Sequence, residues 1–443
     1  MKREKAAIAG MAGLFVLVGV VIGVQAAYKA GFSNSEDAGE KARWNDLRVF
    51  YGAGRIVFQD VNLYTTPVSP EGRYYIYPPF LAAACAAPAA LGWRPFVIMW
   101  VAGSLAALGA AALMCAKTVR PGAKGAGLVA LGLLSLALCA RPVLCDFQNG
   151  QANCLTFFFT AASLLLFVKR RDAASGLVMA IAASMKMTAA IFLPYFLFKG
   201  AYRVAAGMVL GLVFTLVLLP MLAFGPARAA RLYSSLYDKM VEPFASVTDA
   251  PHVYSEAGQS LRAAANRYLS DTDAAHHAPY EVKVNFVNLS PDAVWKIVLA
   301  GCAALAAASA FCARANPADE SRRHLIALEL GAVLLLMLVV SPVTRKAHFV
   351  GLLLPCCACA NYVLLFKRDS RRGLSRAVLL AATLAAFALF NLTSPGIVGR
   401  EASVFLQALS IFFFAAIVLW AAICFVLVRD ARIPRESLRE RGS

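Results

Sequence analysis

Long apolar runs, separated by short polar segments, make up most of this sequence. A helix needs roughly 20 apolar residues to cross a bilayer, and several runs reach that length. Clusters of Lys and Arg occur in alternate polar segments, for example 169–171 and 371–372, as is typical of loops on the cytoplasmic side. The pattern predicts an all-α polytopic membrane protein with about 12 transmembrane helices and both ends in the cytoplasm. We expect one integral membrane domain over residues 1–443.

The predicted crossings follow from the alternation of apolar runs and basic clusters. The first run, 6–27, follows a basic start and is longer than the apolar part of a signal peptide, so we expect an uncleaved anchor. Residues 173–198 have positive charge at both ends and predict a hairpin of two short helices, with its turn near Lys186. The other predicted crossings are 96–116, 125–143, 153–168, 204–224, 293–312, 325–340, 349–366, 377–390 and 404–428.

Two long segments interrupt this pattern and predict two large external loops, 28–95 and 225–291. Loops of such length are usually functional or disordered, and the first one is too rich in Tyr, Phe and Val for a disordered segment. Its stretch 79–91 is apolar but short, which predicts a helix lying at the outer surface. We interpret the stretch from Asn45 to Pro79 as the active-site loop of a membrane enzyme.

Composition narrows the possible partners. The chain is 60% hydrophobic and 15% charged, whereas soluble domains are about a quarter charged. The net charge of +18 comes largely from the loop clusters that set orientation, which indicates contact with membrane lipids and argues against a nucleic-acid partner. The eleven cysteines lie almost entirely in apolar runs. Because no Cys/His spacing typical of zinc occurs, we predict no metal site and no other cofactor.

Unusual polar side chains in apolar surroundings fall on one predicted face of the membrane. Charge at membrane depth is costly and marks a functional hypothesis. Arg and Lys bind phosphate oxygens, and a carboxylate can take the proton from an attacking hydroxyl. Nucleotide sugars are absent outside the cell, so these groups favour glycosyl transfer from a polyprenyl-phosphate sugar donor to a lipid- or glycan-linked acceptor. The groups at external turns are Asp46, Gln148, Gln151, Lys186, Arg345, Lys346 and His348.

Several short motifs resemble those of glycosyltransferase family 87, in the same order, over about residues 46–366. Each motif is loose alone, and the series is more specific than any member. They are the run DLRVFYGA from Asp46 to Ala53, Asn62-Leu63-Tyr64, Tyr77-Pro78-Pro79, Gly150-Gln151-Ala152-Asn153, Lys186-Met187-Thr188, and Ser341-Pro342 followed by His348.

The resemblance implies a GT-C-type glycosyltransferase fold and polyprenyl-phosphate-dependent transfer, with mannose as the expected sugar. It also implies that Asp46 is the catalytic base and that His348 lies near the donor phosphate. The sequence departs from the family at Arg345 and Lys346, since a Trp and an acidic residue commonly precede that His, and at Gly258, where Asn is usual. These departures concern the sugar or the acceptor more than the type of reaction.

The pattern and the resemblance together predict an inverting glycosyltransferase of the cytoplasmic membrane, with its active site on the external or periplasmic face. Asp46 is the predicted general base. The other predicted site residues are Arg345, Lys346, His348 and Lys186 for the donor phosphate, and Arg48, Tyr51, Tyr77, Gln148, Gln151 and Gln259 for the substrate.

Individual residues also have simpler interpretations. Asp46 could pair with Arg43 or Arg48 on a solvated surface. Lys186 could extend to the membrane interface from a helix end. Asp271 and Asp273 match the acid-x-acid metal site of nucleotide-sugar enzymes, but they fall in an external loop, where such sugars are absent.

Two other functions remain open at this point. A transporter or flippase for a lipid-linked glycan would place binding groups near the bilayer midplane, where Glu329 is the main candidate. A non-catalytic subunit of an envelope-glycan complex would make Asp46 dispensable.

Overall fold

The computed structural model describes residues 45–242, 255–275, 280–317, 319, 322–365 and 370–433. The structure is 77% helical, and the described part of the chain contains no strand. The all-α prediction is therefore confirmed. The predicted anchor 6–27 lies outside the described residues, as do Arg43 and four aromatic or histidine side chains of the second loop: His252, Tyr254, His276 and His277.

Seventeen helical segments are labelled here in chain order. Three short ones are left unlabelled: Met187–Ile191, Tyr237–Val241 and Pro395–Val398. The first ten are α1 Asn45–Ile56, α2 Pro79–Ala90, α3 Trp93–Val119, α4 Ala126–Leu138, α5 Ala140–Asn149, α6 Asn153–Val168, α7 Asp172–Met185, α8 Phe192–Phe198, α9 Tyr202–Phe224 and α10 Pro226–Leu236. The remaining seven are α11 Leu261–Leu269, α12 Pro291–Cys312, α13 Arg323–Val340, α14 Lys346–Leu365, α15 Ser370–Leu392, α16 Arg400–Ala408 and α17 Ile411–Ala431.

Seven of these helices are long and apolar enough to cross a membrane: α3, α9, α12, α13, α14, α15 and α17. The pair α4 and α5 makes an eighth candidate, bent by 69° between its two helices. Helices α2, α6 and α7 are apolar but shorter, as is the helical stretch Met187–Phe198. The structure thus supports a multi-pass membrane protein, and about 12 crossings stays a prediction.

The described residues form two compact units that alternate along the chain. Unit 1 contains 45–114 and 143–242, and unit 2 contains 115–142 and 255–433 among the described residues. The boundaries fall within α3 and within α5. The single domain predicted for 1–443 stays a prediction, and each unit is described by itself.

Helix α1 occupies the start of what the sequence indicates as a loop. Apolar residues recur on one face and are buried, namely Leu47, Phe50, Ala53 and Val57, which is the spacing of an amphipathic helix. Between them, a Cβ at Gly54 would lie 2.7 Å from the backbone oxygen of Cys85 in α2. Only glycine permits so close an approach of the two helices.

The buried side of α1 packs on aromatic rings of the loop and of α3. The Phe50 ring stacks on Trp100 of α3 at 4.8 Å and contacts Tyr77 at 5.0 Å. Tyr64 and Tyr75 are almost wholly buried, and their hydroxyls donate to the backbone oxygens of Tyr77 and Pro78 at 2.8 and 2.9 Å. Burial raises the pKa of the Tyr64 and Tyr75 hydroxyls well above their usual range. From residue 45 onwards, the first loop is therefore an ordered segment whose aromatic side chains pack together.

Elsewhere in unit 1, small residues allow α7 and α9 to pack closely. A Cβ at Gly207 would lie 2.6 Å from the backbone oxygen of Ala173, and one at Gly211 would lie 2.6 Å from the Ala180 side chain. Two hydroxyls join the same helices, since Ser184 and Thr215 lie 2.5 Å apart. Small residues and hydroxyl contacts are the usual means of helix association in membranes.

In unit 2, most of α13 and α14 is buried. Glu329 of α13, the residue that favoured a transporter, accepts a hydrogen bond from the backbone N–H of Ala315 at 3.2 Å. A carboxylate that satisfies a backbone donor beyond the end of α12 has a structural use. Glu329 therefore gives no support to a midplane binding site.

The predicted crossing 404–428 is wrong as a single helix, because α16 ends at Ala408 and α17 begins at Ile411. Ser410 lies between them with a φ of +56°, and this turn points its hydroxyl at the buried Arg267, whose guanidinium donates to it at 2.6 Å. Arg267 also donates to the backbone oxygens of Ser255 and Gly258 at 2.7 Å each. Burial lowers the pKa of Arg267 to about 10.

Candidate functional site

Asp46 lies in the first turn of α1, at the end of the helix where the backbone dipole favours negative charge. Its Oδ2 accepts a hydrogen bond from Gln151 Nε2 at 2.5 Å. The guanidinium of Arg73 lies 3.9 Å from its Oδ1. The Asp46 side chain keeps 21% of its surface exposed, so the carboxylate is fixed on one side and accessible on the other.

Gln151 reaches Asp46 because of a tight turn between α5 and α6. Gly150 adopts a φ of +62°, a conformation that favours glycine. The backbone N–H of Gln151 then donates to the backbone oxygen of Asp146 at 3.0 Å. This turn buries the Gln151 side chain and brings its amide to α1, which lies about a hundred residues earlier in the chain.

Asn153, the first residue of α6, connects Gln151 to two buried charges. Its Nδ2 donates to Asp146 Oδ1 and to Gln151 Oε1, both at 2.8 Å. Its Oδ1 accepts from Lys186 Nζ at 2.6 Å. A carboxylate only accepts and an ammonium only donates, so these neighbours fix the orientation of the Asn153 amide. The Gln151 amide is fixed in turn, with its N–H facing Asp46.

Lys186 sits at the break between α7 and the short 3-10 helix that starts at Met187. Its backbone is extended, with φ −141° and ψ 117°, which turns the side chain inward. The ammonium is buried, donates to Gln151 Oε1 at 3.5 Å as well as to Asn153, and lies 5.5 Å from the centre of the Tyr77 ring. We call Asp46, Gln151, Asn153, Asp146 and Lys186 the Asp46 network.

The remaining predicted residues of unit 1 surround this network in different ways. Arg48 pairs with Glu71 at 3.0 Å and lies 5.9 Å from the Trp93 ring. Among the described residues, Arg73 lies at ion-pair distance from Asp46. Tyr51 packs edge-on against Trp93. Gln148 is exposed near the end of α5. The sequence had suggested that it lies in a turn.

The three predicted phosphate-binding residues of unit 2 open α14. His348 Nδ1 accepts the backbone N–H of Arg345 at 3.1 Å, so a neutral His348 ring carries its proton on Nε2. Lys346 Nζ donates to the backbone oxygen of Thr393 at 3.2 Å. The first contact lies within the turn, and the second ties Lys346 to the residue after α15. The role of the three residues at the donor phosphate stays a prediction.

Gln259 has a structural use in unit 2. Its side chain is fully buried. Its Nε2 donates to the backbone oxygens of Glu256 and Gln407, both at 2.8 Å, and its Oε1 accepts from the Phe412 N–H at 3.1 Å. An amide engaged in this way joins the second loop to α16 and α17. The role of Gln259 in substrate binding stays a prediction.

No group of three or more His, Cys, Asp or Glu that could hold a metal occurs in the described part of the chain. Asp271 pairs with Lys283 at 2.8 Å. Asp273 accepts the backbone N–H groups of Ala275 and Val282, both at 3.0 Å. The acid-x-acid pair therefore shapes the second loop.

Sequence reasoning missed Asn153, Arg73 and Asp146 as site residues. Asn153 had a signal, because it closes the motif Gly150-Gln151-Ala152-Asn153. Asp146 had one too, as an acid in an apolar region. Arg73 had none, since its role depends on how the first loop folds over α1.

The arrangement resembles a general base held in place. One oxygen of Asp46 is bound by Gln151, and the partial exposure of the side chain leaves room for an acceptor hydroxyl. The buried ammonium of Lys186 adds a fixed positive charge to the same network. A positioned carboxylate near fixed positive charge suits proton removal from an alcohol and departure of an anion.

Comparison with known families gives one result that bears on this site. The model of glycosyltransferase family 87 matches residues 75–342, which is more than half of the chain. No curated protein matches the sequence. Tyr77 and four residues of the Asp46 network lie within the matched residues, whereas Asp46 itself precedes them. The hydrogen bond from Gln151 is thus what connects Asp46 to the matched part.

Proposed function

This chain belongs to glycosyltransferase family 87, and we propose that it transfers mannose from a polyprenyl-phosphate donor to an acceptor hydroxyl at the outer face of the cytoplasmic membrane. The acceptor is a lipid-linked or glycan-linked alcohol. The family supports the transfer of a sugar and the apolar helices support the membrane setting. The observation that carries the proposed mechanism is the 2.5 Å hydrogen bond from buried Gln151 to partly exposed Asp46.

The proposed reaction is a single displacement that inverts the anomeric carbon. The acceptor oxygen forms a bond to that carbon while the bond to the phosphate oxygen breaks, and the polyprenyl phosphate leaves with the electron pair. Asp46 takes the proton from the attacking hydroxyl. An alcohol is a weak nucleophile until a base begins to remove its proton, and such help contributes about 10²–10⁴-fold.

Positive charge stabilises the leaving phosphate in this proposal. We assign Arg345, Lys346 and His348 to its oxygens, as basic or N–H-donating side chains in one turn. Lys186 contributes differently, because Gln151 and Asn153 hold its ammonium in place. Its charge acts as a fixed part of the site and not as a flexible arm. Tyr77, Tyr51, Arg48 and Gln148 are proposed to line the sugar and acceptor sites.

The test begins with the identity of the product. Lipid-linked glycans from a deletion strain are compared with those of its parent, and the glycan that loses one hexose identifies the acceptor. Purified protein in liposomes then receives radiolabelled polyprenyl-phosphate mannose and that acceptor. An unchanged glycan profile would favour a function without sugar transfer.

The decisive variant is Asp46→Asn, which keeps the shape and removes the base. We expect transfer to fall by at least about 10²-fold, with donor binding unchanged. Asp46→Glu should recover little, since a displacement of about 1 Å can cost about 10²-fold. The matched control is Asp60→Asn, an exposed acid of the same loop. Near-parental turnover by Asp46→Asn would reject the mechanism.

A further inference from the structure

A groove runs between the C-terminal ends of α12 and α17, within unit 2. Its volume is about 620 Å³, which lies in the range of about 300–1,000 Å³ typical of small-molecule pockets. Its walls are almost entirely apolar, and two arginines stand at one end. The residues that define it are Phe311, Cys312, Trp420, Phe425, Arg429 and Arg432.

The apolar part of the groove faces outward from two candidate membrane-spanning helices. Phe311 and Phe425 are 55% and 41% exposed. Trp420 is held against the groove by a hydrogen bond from its Nε1 to Ser309 Oγ at 3.0 Å. In a bilayer such a surface contacts hydrocarbon chains, and the fixed Trp420 ring gives it a defined shape.

The polar end of the groove carries two positive charges. Arg429 donates through one Nη atom to the backbone oxygen of Arg371 at 3.1 Å. Its other Nη atom is enclosed by the protein and has no hydrogen-bond partner among the described residues. Arg429 is half-buried and Arg432 is exposed, and both line the groove. Their two guanidinium charges would attract an anionic group at this end.

We propose that the groove binds an anionic phospholipid of the cytoplasmic leaflet, with an acyl chain along Phe311 and Phe425 and the headgroup phosphate at Arg429 and Arg432. The basic clusters at this end of the chain predict that it faces the cytoplasm, where anionic lipids are concentrated. The proposed donor site lies on the opposite membrane face, so the polyprenyl phosphate of the reaction is not the occupant. The inference does not depend on the transfer mechanism.

Trp420 offers a direct probe, because lipids brominated on their acyl chains quench a tryptophan that they contact. The full chain carries five tryptophans. In a variant that keeps only Trp420, with the others replaced by Phe, we expect dibrominated phosphatidylglycerol to quench more strongly than dibrominated phosphatidylcholine in mixed vesicles. Each arginine near an anionic surface should raise the relative affinity about fivefold.

The control is a second variant that keeps only Trp295, on α12 outside the groove, and it should show no headgroup preference. Arg429→Gln with Arg432→Gln should abolish the preference at Trp420, while Arg429→Lys with Arg432→Lys should retain most of it. Equal quenching by both lipids, or a preference that survives the glutamine substitutions, would overturn the proposal. Displacement by polyprenyl phosphate at lower concentration than by phosphatidylglycerol would overturn it in favour of the carrier lipid.

Discussion

Each unit holds a network of buried polar side chains around an aspartate, and the two networks differ in how the aspartate is enclosed. In unit 2, Asp430 accepts from Ser375 at 2.8 Å and from Tyr362, and lies 3.7 Å from the guanidinium of Arg372. Arg372 in turn contacts His324 at 3.3 Å. The side chains of Arg372 and Asp430 are 3% and 0% exposed. In the Asp46 network, by contrast, the aspartate is the partly exposed end.

This difference indicates which of the two aspartates a substrate can reach. A carboxylate enclosed by an arginine and two hydroxyls joins helices and cannot meet a substrate without a rearrangement. A carboxylate bound on one side by a buried amide is oriented and still reachable. The Asp430 cluster should therefore matter for stability, and the Asp46 network for transfer.

The largest effect on stability is expected from Asp430→Asn. It would remove the carboxylate that lies 3.7 Å from the buried guanidinium of Arg372, and breaking a buried pair in this way typically costs about 3–5 kcal/mol. Thermal unfolding of the protein in detergent should shift to clearly lower temperature, while transfer per folded molecule stays near the parental value. The exposed Glu281→Gln serves as control, because its contact with Lys283 is at the surface. A stable Asp430→Asn protein with little transfer would place Asp430 with the functional residues.

An intermediate effect is expected at the start of α14. Arg345→Ala or Lys346→Ala removes a positive charge assigned to the donor phosphate, and charge-assisted hydrogen bonds contribute about 1.5–3 kcal/mol. The donor KM should rise about 10- to 100-fold, with little change in thermal stability. Lys283→Ala, an exposed lysine of the same unit, should leave the donor KM unchanged. Parental rates at limiting donor in both variants would remove this turn from the phosphate site.

The smallest effect on transfer is expected from Asn153→Ala, which removes the amide that orients Gln151 and one of the two amides that hold the Lys186 ammonium. The bond that orients Gln151 is neutral, and such bonds contribute about 0.5–1.5 kcal/mol, so kcat should fall about two- to tenfold with the donor KM preserved. Asn149→Ala is the matched control, because Asn149 bonds only within α5, to Cys145, among the contacts described. A change in donor KM without a change in kcat would mean that Asn153 acts on binding and not on Asp46.

Much of the fold could be predicted from hydrophobicity alone, because apolar length decides which helices can span a membrane. The break at Lys186 between two short apolar helices is one example, whereas the hairpin itself stays a prediction. Helix α1 was interpreted as a loop, since two glycines and several polar residues conceal its apolar face. The break at Ser410 was missed because the residues around it are apolar, and the reason for the break is the distant Arg267.

The candidate site was predictable as a set of residues but not as a set of contacts. Family resemblance brought Asp46, Gln151 and Lys186 into one group. Nothing in the sequence shows that Gln151 binds Asp46, because the two are far apart along the chain. The choice of Arg73 over Arg48 beside the carboxylate was likewise undetermined, since it depends on the pairing of Arg48 with Glu71.

The fixed amide orientations give the Asp46 network a direction. Lys186 donates to Asn153, Asn153 donates to Gln151, and Gln151 donates to Asp46. Replacing Gln151 by Glu would change a single heavy atom, remove the N–H that donates to Asp46 and set two carboxylates against each other. Replacing Asn153 by Asp would likewise remove the N–H groups that donate to Asp146 and Gln151. The amide nitrogen of Asn153 faces a carboxylate and its oxygen faces an ammonium. These residues therefore act as one unit. To move this site into another protein, both amides would have to be transferred together with Asp146 and Lys186, because Asp46 alone would not be oriented.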